Sequence, residues 1–187
     1  MSFGARRRSF SSSRGSGSTL EAGPPGSPAA VEAARAAALK LLDRSRRTRS
    51  DLARRLRDAG HAPASVDEVL RRLEAVGLVD DVEYARAYLA GRWNRRSAGW
   101  RRLELALRQR GIATEDIGAA RARLEADSGP ADEVSLASRV IGQTARRYAR
   151  LDPAARRQRL YALLARRGFD ADTIRQALEM PSEEPEP

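Results

Sequence analysis

The chain has no cysteine and a single histidine, His61. Without thiols there is no disulfide and no thiolate metal site, and a solitary imidazole cannot complete the usual zinc set or a nucleophile–base pair. Lysine is almost absent as well. Lys40 is the only one, and it sits in an Ala/Leu-rich stretch, so no Gly-x4-Gly-Lys-Ser/Thr phosphate loop exists. No run approaches the ~20 apolar residues that span a bilayer, and the first residues lack the apolar stretch of a secretory signal. Carboxylate pairs such as Asp80-Asp81 fall at helix starts, where capping accounts for them. These absences lead to the expectation of a cytoplasmic protein that is not an enzyme and needs no metal, cofactor or membrane.

What the sequence does contain is one pattern three times. Leu52, Leu56, Gly60 and Val66 share their spacing with Leu103, Leu107, Gly111 and Ile117, and again with Leu160, Leu164, Gly168 and Ile174. Two leucines four apart form an apolar stripe on a helix, and a glycine four residues later suits the left-handed residue that ends one. The glycines are 51 and 57 residues apart. A period that long is the signature of a stacked helical unit, and such arrays present extended surfaces to long partners. The expected fold class is all-α, with three tandem three-helix repeats over residues 31–77, 78–127 and 128–180. Each repeat is expected to lean on its neighbour, because three short helices bury little apolar surface alone.

The expected helix starts follow from local chemistry. Thr48 suits an N-cap with Asp51 in the first turn, Asp80 with Glu83 resembles a capping box, and Asp152-Pro153 is a cap followed by a first-turn proline. The first helix is predicted from Val31, and helices are also predicted over 98–110, 114–126 and 171–180. Residues 1–30, rich in Arg, Ser, Gly and Pro, are expected to be disordered, and the acidic tail 181–187 to fray.

The formal net charge is +10, carried almost wholly by arginine. It is concentrated in three blocks: +6 over residues 44–57, +6 over 92–110 and +7 over 146–167, so the remainder sums to −9. Each block covers the second helix of a repeat and the loop before it. One such block reads most simply as a solvated helix face. Three at one repeat position point to a basic stripe that tracks phosphates or an acidic protein groove. Its candidates in the first block are Arg46, Arg47, Arg49 and Arg54, and in the second Arg92, Arg95, Arg96, Arg101 and Arg102. The third block supplies Arg146, Arg147, Arg150, Arg156 and Arg157. Tyr84, Tyr88, Trp93, Trp100, Tyr148 and Tyr161 lie beside or inside these blocks and suit either base stacking or packing between helices. The last helix of each repeat begins with acids (Asp67 and Glu68, Glu115 and Asp116, Asp170 and Asp172), which disfavours its entry into a duplex groove as a sequence reader.

From Leu41 onward the chain resembles the RecX family of recombination regulators. The resemblance is carried by residues 46–52, by Gly77-Leu78-Val79-Asp80-Asp81 with Tyr84-Ala85 and Tyr88, and by Arg92, Gly99, Arg102-Leu103, Leu107 and Arg110-Gly111-Ile112. In the third repeat it is carried by residues 163–169 and Ile174. Ala106 departs from the family, which tends to carry Glu there. The resemblance implies an elongated, curved array that binds the RecA recombinase and its filament on single-stranded DNA. It also implies inhibition of ATP hydrolysis, strand exchange and filament extension. A monomer is expected, with only weak, nonspecific affinity for single-stranded DNA. Two other readings stay open: a nonspecific DNA-binding helical-repeat protein that competes for DNA, and a purely protein-binding adaptor.

Overall fold

The computed structural model describes residues 24, 26–92 and 98–179, and these form nine helices and no strand. The first repeat holds α1 (Pro28–Arg44), α2 (Arg49–Asp58) and α3 (Pro63–Ala75). The second holds α4 (Asp81–Ala90), α5 (Trp100–Arg108) and α6 (Thr114–Ser128), and the third α7 (Glu133–Tyr148), α8 (Pro153–Arg166) and α9 (Ala171–Glu179). The expected tail 181–187, Met180 and all but a few of residues 1–30 lie outside the described residues. The first helix begins at Pro28 instead of Val31, because Ser27 accepts the Ala30 amide and proline pre-sets the first turn.

The other caps act where side-chain chemistry requires. Thr48 accepts the Asp51 amide, Asp80 the Glu83 amide, and Asp152 the amides of Ala154 and Ala155. Gly60, Gly111 and Gly168 follow α2, α5 and α8 with φ of 89°, 77° and 88°, a left-handed turn that a side chain disfavours.

Each repeat closes its own core. Leu52, Leu56, Val66 and Leu70 belong to the first cluster, Leu103, Leu107, Ile117 and Leu124 to the second, and Leu160, Leu164, Phe169 and Ile174 to the third. Apolar contact between repeats is local, as where Ala131 packs against the second core. The repeats meet end to end through their middle helices, by hydrogen bonds.

At the first joint, Thr48 Oγ1 donates to the Arg110 carbonyl at 2.9 Å, and the Arg49 amide donates to Asp81 Oδ1 at 2.8 Å. The amino end of α2 thus rests on the glycine turn that follows α5. The second joint repeats the arrangement. The Gly99 amide donates to the Arg167 carbonyl at 3.0 Å, the Arg101 amide to the Gly168 carbonyl at 3.2 Å, and the Trp100 amide to Glu133 Oε2 at 3.3 Å. In both joints the first amide of the middle helix meets the first carboxylate of the next repeat's leading helix. Burial pushes the carboxyls of Asp81 and Glu133 up, against the amide hydrogen bonds they accept.

The glycines have a second task here. A Cβ at Gly111 would collide with the Ser50 side chain, and one at Gly168 with the Arg102 backbone, whereas one at Gly60 meets nothing within 4 Å. Both outer ends lack the joint's parts. α8 starts with Pro153, which has no amide hydrogen to donate, and α1 starts with Pro28 where α4 and α7 start with a carboxylate.

Candidate functional site

The basic blocks follow the run of α8, α5 and α2, and each joint between these helices forms a groove. The groove at the first joint, about 460 Å³, is lined by Arg46, Arg47, Asp51, Arg54, Tyr84 and Arg110 among others. The groove at the second joint, about 800 Å³, brings together Arg92, Arg101, Arg102, Arg110 and Arg166 with Tyr88 and Tyr161. Ala106 lines the second groove as well.

The first groove is largely neutralised. Asp51 is held by Arg47 at 2.9 Å, by Arg55 at 2.9 Å and by Arg54 at 2.5 Å. Burial pushes its carboxyl up, and the hydrogen bonds from these three arginines outweigh that and hold it below the ordinary 3.8. Other helices supply the rest: Arg49 meets Glu74 at 2.7 Å, Arg57 meets Asp67 at 3.3 Å, and Arg46 lies 4.0 Å from Glu83. The +6 read from residues 44–57 therefore overstates the charge this face offers.

The second groove is different. Among the described residues none of Arg92, Arg101, Arg102, Arg110 and Arg166 has a carboxylate within ion-pair distance. Matching Leu52 to Leu103 puts Arg102 where the first repeat has Asp51. Arg101 and Arg102 both sit in the first turn of α5, behind Gly99, which offers no capping side chain. A cation there opposes the helix dipole by about 0.3–1 kcal/mol. Glu133, on the Trp100 amide, favours that end, and Asp170 attracts Arg101 from nearby.

The predicted aromatics Tyr84, Tyr88 and Trp100 are packed. The guanidinium of Arg92 lies 3.7 Å from the Tyr88 ring centroid and that of Arg110 4.7 Å, while Arg121 lies 4.4 Å from Trp100. Tyr84, Tyr88 and Trp100 all pack against the second core. Trp93, Arg95 and Arg96 lie outside the described residues. Arg146, Arg147 and Arg150 end α7 or follow it, and Arg157 sits 4.0 Å from Glu179. Arg156 and Arg157 line a separate hollow beside Leu160 and Leu178, away from the second groove. Two arginines of the second groove, Arg110 and Arg166, were not among the candidates, whereas Tyr161 was one of the aromatics beside the basic blocks. Tyr161 is 41% exposed. Its sequence signal is modest: it stands one residue past the buried stripe of Leu160 and Leu164, on the solvent side of α8.

Three-helix units joined end to end, with basic grooves at the joints and no extended packing between repeats, define a tandem helical-repeat protein with an extended working surface. Residues 34–73, 80–120 and 131–178 match the family models described as the first, second and third three-helix domains of RecX. The chain belongs to the RecX family. It is 35% identical to the regulatory protein RecX of Streptomyces coelicolor over 87% of this chain and 86% of that one. It is 38% identical to that of Mycobacterium ulcerans, over 81% and 87%. The crystal structure of RecX from Lactobacillus salivarius superposes with a TM-score of 0.71 at 23% identity, covering 80% of this chain and 95% of that one, a likeness of fold.

Proposed function

We propose that this protein restrains the RecA recombinase by lying along its filament on single-stranded DNA. It thereby lowers ATP hydrolysis, strand exchange and filament extension, and it has no catalytic chemistry of its own. Family membership supports the regulatory role. The observation that carries the reading is the end-to-end run of middle helices, whose second and third members bear arginines without carboxylate partners among the described residues. An extended basic face of this kind suits a long polyanionic assembly more than a small ligand. In this reading Arg92, Arg101 and Arg102, with Arg146, Arg147, Arg150, Arg156 and Arg157, form the surface, and the arginines of the first repeat contribute less.

The test is the single-strand-dependent ATP hydrolysis of RecA from the same source, with the protein titrated from far below one per recombinase protomer. An unrelated single-strand-dependent ATPase runs beside it. Selective loss of RecA turnover at substoichiometric protein is the expected outcome. Equal loss in both assays, reached only when DNA is saturated, would instead mark a nonspecific DNA binder that competes for the strand.

A further inference from the structure

We infer that the groove at the second joint is a nucleotide-binding site, which takes the phosphate on its guanidiniums and the base on the exposed ring of Tyr161. This deepens the reading above and rests on it only in naming which part of the surface meets DNA.

Four observations converge on the groove. Arg92, Arg101, Arg102, Arg110 and Arg166 come from two helices and two turns of two repeats, yet they line one hollow of about 800 Å³. That volume is within the range of small-ligand sites. None of the five forms an ion pair with a carboxylate among the described residues, though Arg101 acts at longer range on Glu133 and Asp170. Arginines elsewhere in the fold regularly do pair, as Arg71 and Arg72 share Glu68, whose carboxyl their hydrogen bonds hold at about 2. Repulsion among unpaired cations and the opposed dipole at the start of α5 are local costs, and costs that nothing in the fold requires mark functional surfaces.

Two of the arginines are also held in place. Arg110 donates to the Ala106 carbonyl and Arg92 to the Tyr88 carbonyl, and both guanidiniums lie over the Tyr88 ring. Tyr88 thus acts as a bracket for two cations. Tyr161 is the aromatic left open, with Leu105, 53% exposed, also on the lining. Cations beside an open planar ring match a phosphorylated nucleoside better than an acidic peptide, which has no face to stack. The repeat pattern sharpens this point. The groove at the first joint has the same construction, but Asp51 occupies the position of Arg102 and draws its arginines inward.

The experiment uses the full chain without recombinase, so that its failure is separate from failure of RecA regulation. Fluorescein-labelled dT15 is titrated by anisotropy across a salt series. Arg102→Ala with Arg166→Ala is compared with Arg71→Ala with Arg72→Ala, which removes the same charge from α3. Circular dichroism checks that helix content is kept. The groove pair is expected to weaken binding at least about tenfold and to reduce the log–log salt slope by about 1.4, two phosphate contacts' worth on a single strand. Tyr161→Ala, at an exposed position that leaves the fold intact, is expected to cost roughly five- to a hundredfold. Competition by free dTMP that the groove variants abolish would identify a free nucleotide as the source, and its absence would identify a strand. Equal loss in both arginine pairs would overturn the proposal. So would a silent Tyr161→Ala combined with full competition by poly-glutamate, which would make the groove an acidic-peptide site.

Discussion

Three residues into α2 stands Asp51, and three residues into α5 stands Arg102. The two joints are otherwise built alike, with an amide onto a carboxylate, a helix start onto a glycine turn, and a groove beside it. One side chain decides the character of each groove. Asp51 favours the dipole of its helix and gathers Arg47, Arg54 and Arg55 into ion pairs, so the first joint spends its arginines on structure. Arg102 opposes its dipole and gathers nothing, so the second joint leaves its arginines available. Arginine content alone does not distinguish the two. What separates them is whether an acid shares the groove.

The largest expected effect separates glycine as a turn residue from glycine as a contact. Gly60→Ala is expected to cost about 1–2 kcal/mol, the left-handed penalty alone. Gly168→Ala is expected to exceed that by about 1–3 kcal/mol, because the new methyl meets the Arg102 backbone, which cannot rotate away. Gly111→Ala should resemble Gly168→Ala until Ser50→Gly is added, which removes the colliding side chain and recovers most of the excess. Urea denaturation of the four variants reads this directly, and equal losses at Gly60 and Gly168 would mean that the joints add no stability.

A charge exchange tests the difference in availability. Arg102→Asp should lower dT15 affinity about tenfold, as the loss of one phosphate contact and the gain of a like charge predict. Asp51→Arg should raise affinity about threefold, by releasing three arginines, while costing roughly 1 kcal/mol of stability. Affinity unmoved by both exchanges would show that the grooves do not differ in function.

The smallest effect is in pH dependence, where Glu133 and Asp51 have opposite signs. Burial raises Glu133 above 4.5, so its charged form weighs against the folded state at neutral pH, and that burden fades as pH falls through the raised value. Asp51 is depressed below 3.8, so the stability it adds is present above 3.8 and is lost as pH falls through the depressed value. Glu133→Gln should therefore match or exceed the parent at neutral pH and lose that advantage on acidification. Asp51→Asn should start weaker and converge with the parent only in acid. Urea midpoints stepped through pH would contradict this if both difference curves bent the same way.

Much of the fold was legible because its determinants are local. Leu52 and Leu56, the three turn glycines, and the caps Thr48, Asp80 and Asp152 act within a few residues of themselves, and each is where its chemistry predicts. The joints were not legible, because they pair residues far apart: Thr48 with Arg110, Gly99 with Arg167, Trp100 with Glu133. Asp81 read as a helix-start acid, and nothing nearby in sequence says that it accepts the Arg49 amide. The charge blocks were read as middle helices and the loops before them, but Arg44 ends α1 and Arg146 and Arg147 end α7. They were also miscounted as free charge, since Asp67, Glu74 and Glu83 reach the first block from other helices. Tyr88 and Trp100 stood out as aromatics beside basic runs; Arg92 reaches Tyr88 from four residues on, whereas only the tertiary fold places Arg110 over Tyr88 and Arg121 over Trp100.

The joints also have a handedness of use. Each sets the amino end of one middle helix on the carboxyl end of another, so the molecule has a head at Pro153 and a tail at Gly60, and no rotation exchanges them. A rail with unlike ends can seat on a polar track, such as a strand with its 5′ and 3′ sense, in one orientation only. On a two-fold symmetric partner it would leave half of the symmetry unread. The glycine turns that punctuate the sequence therefore give the protein a forward and a reverse.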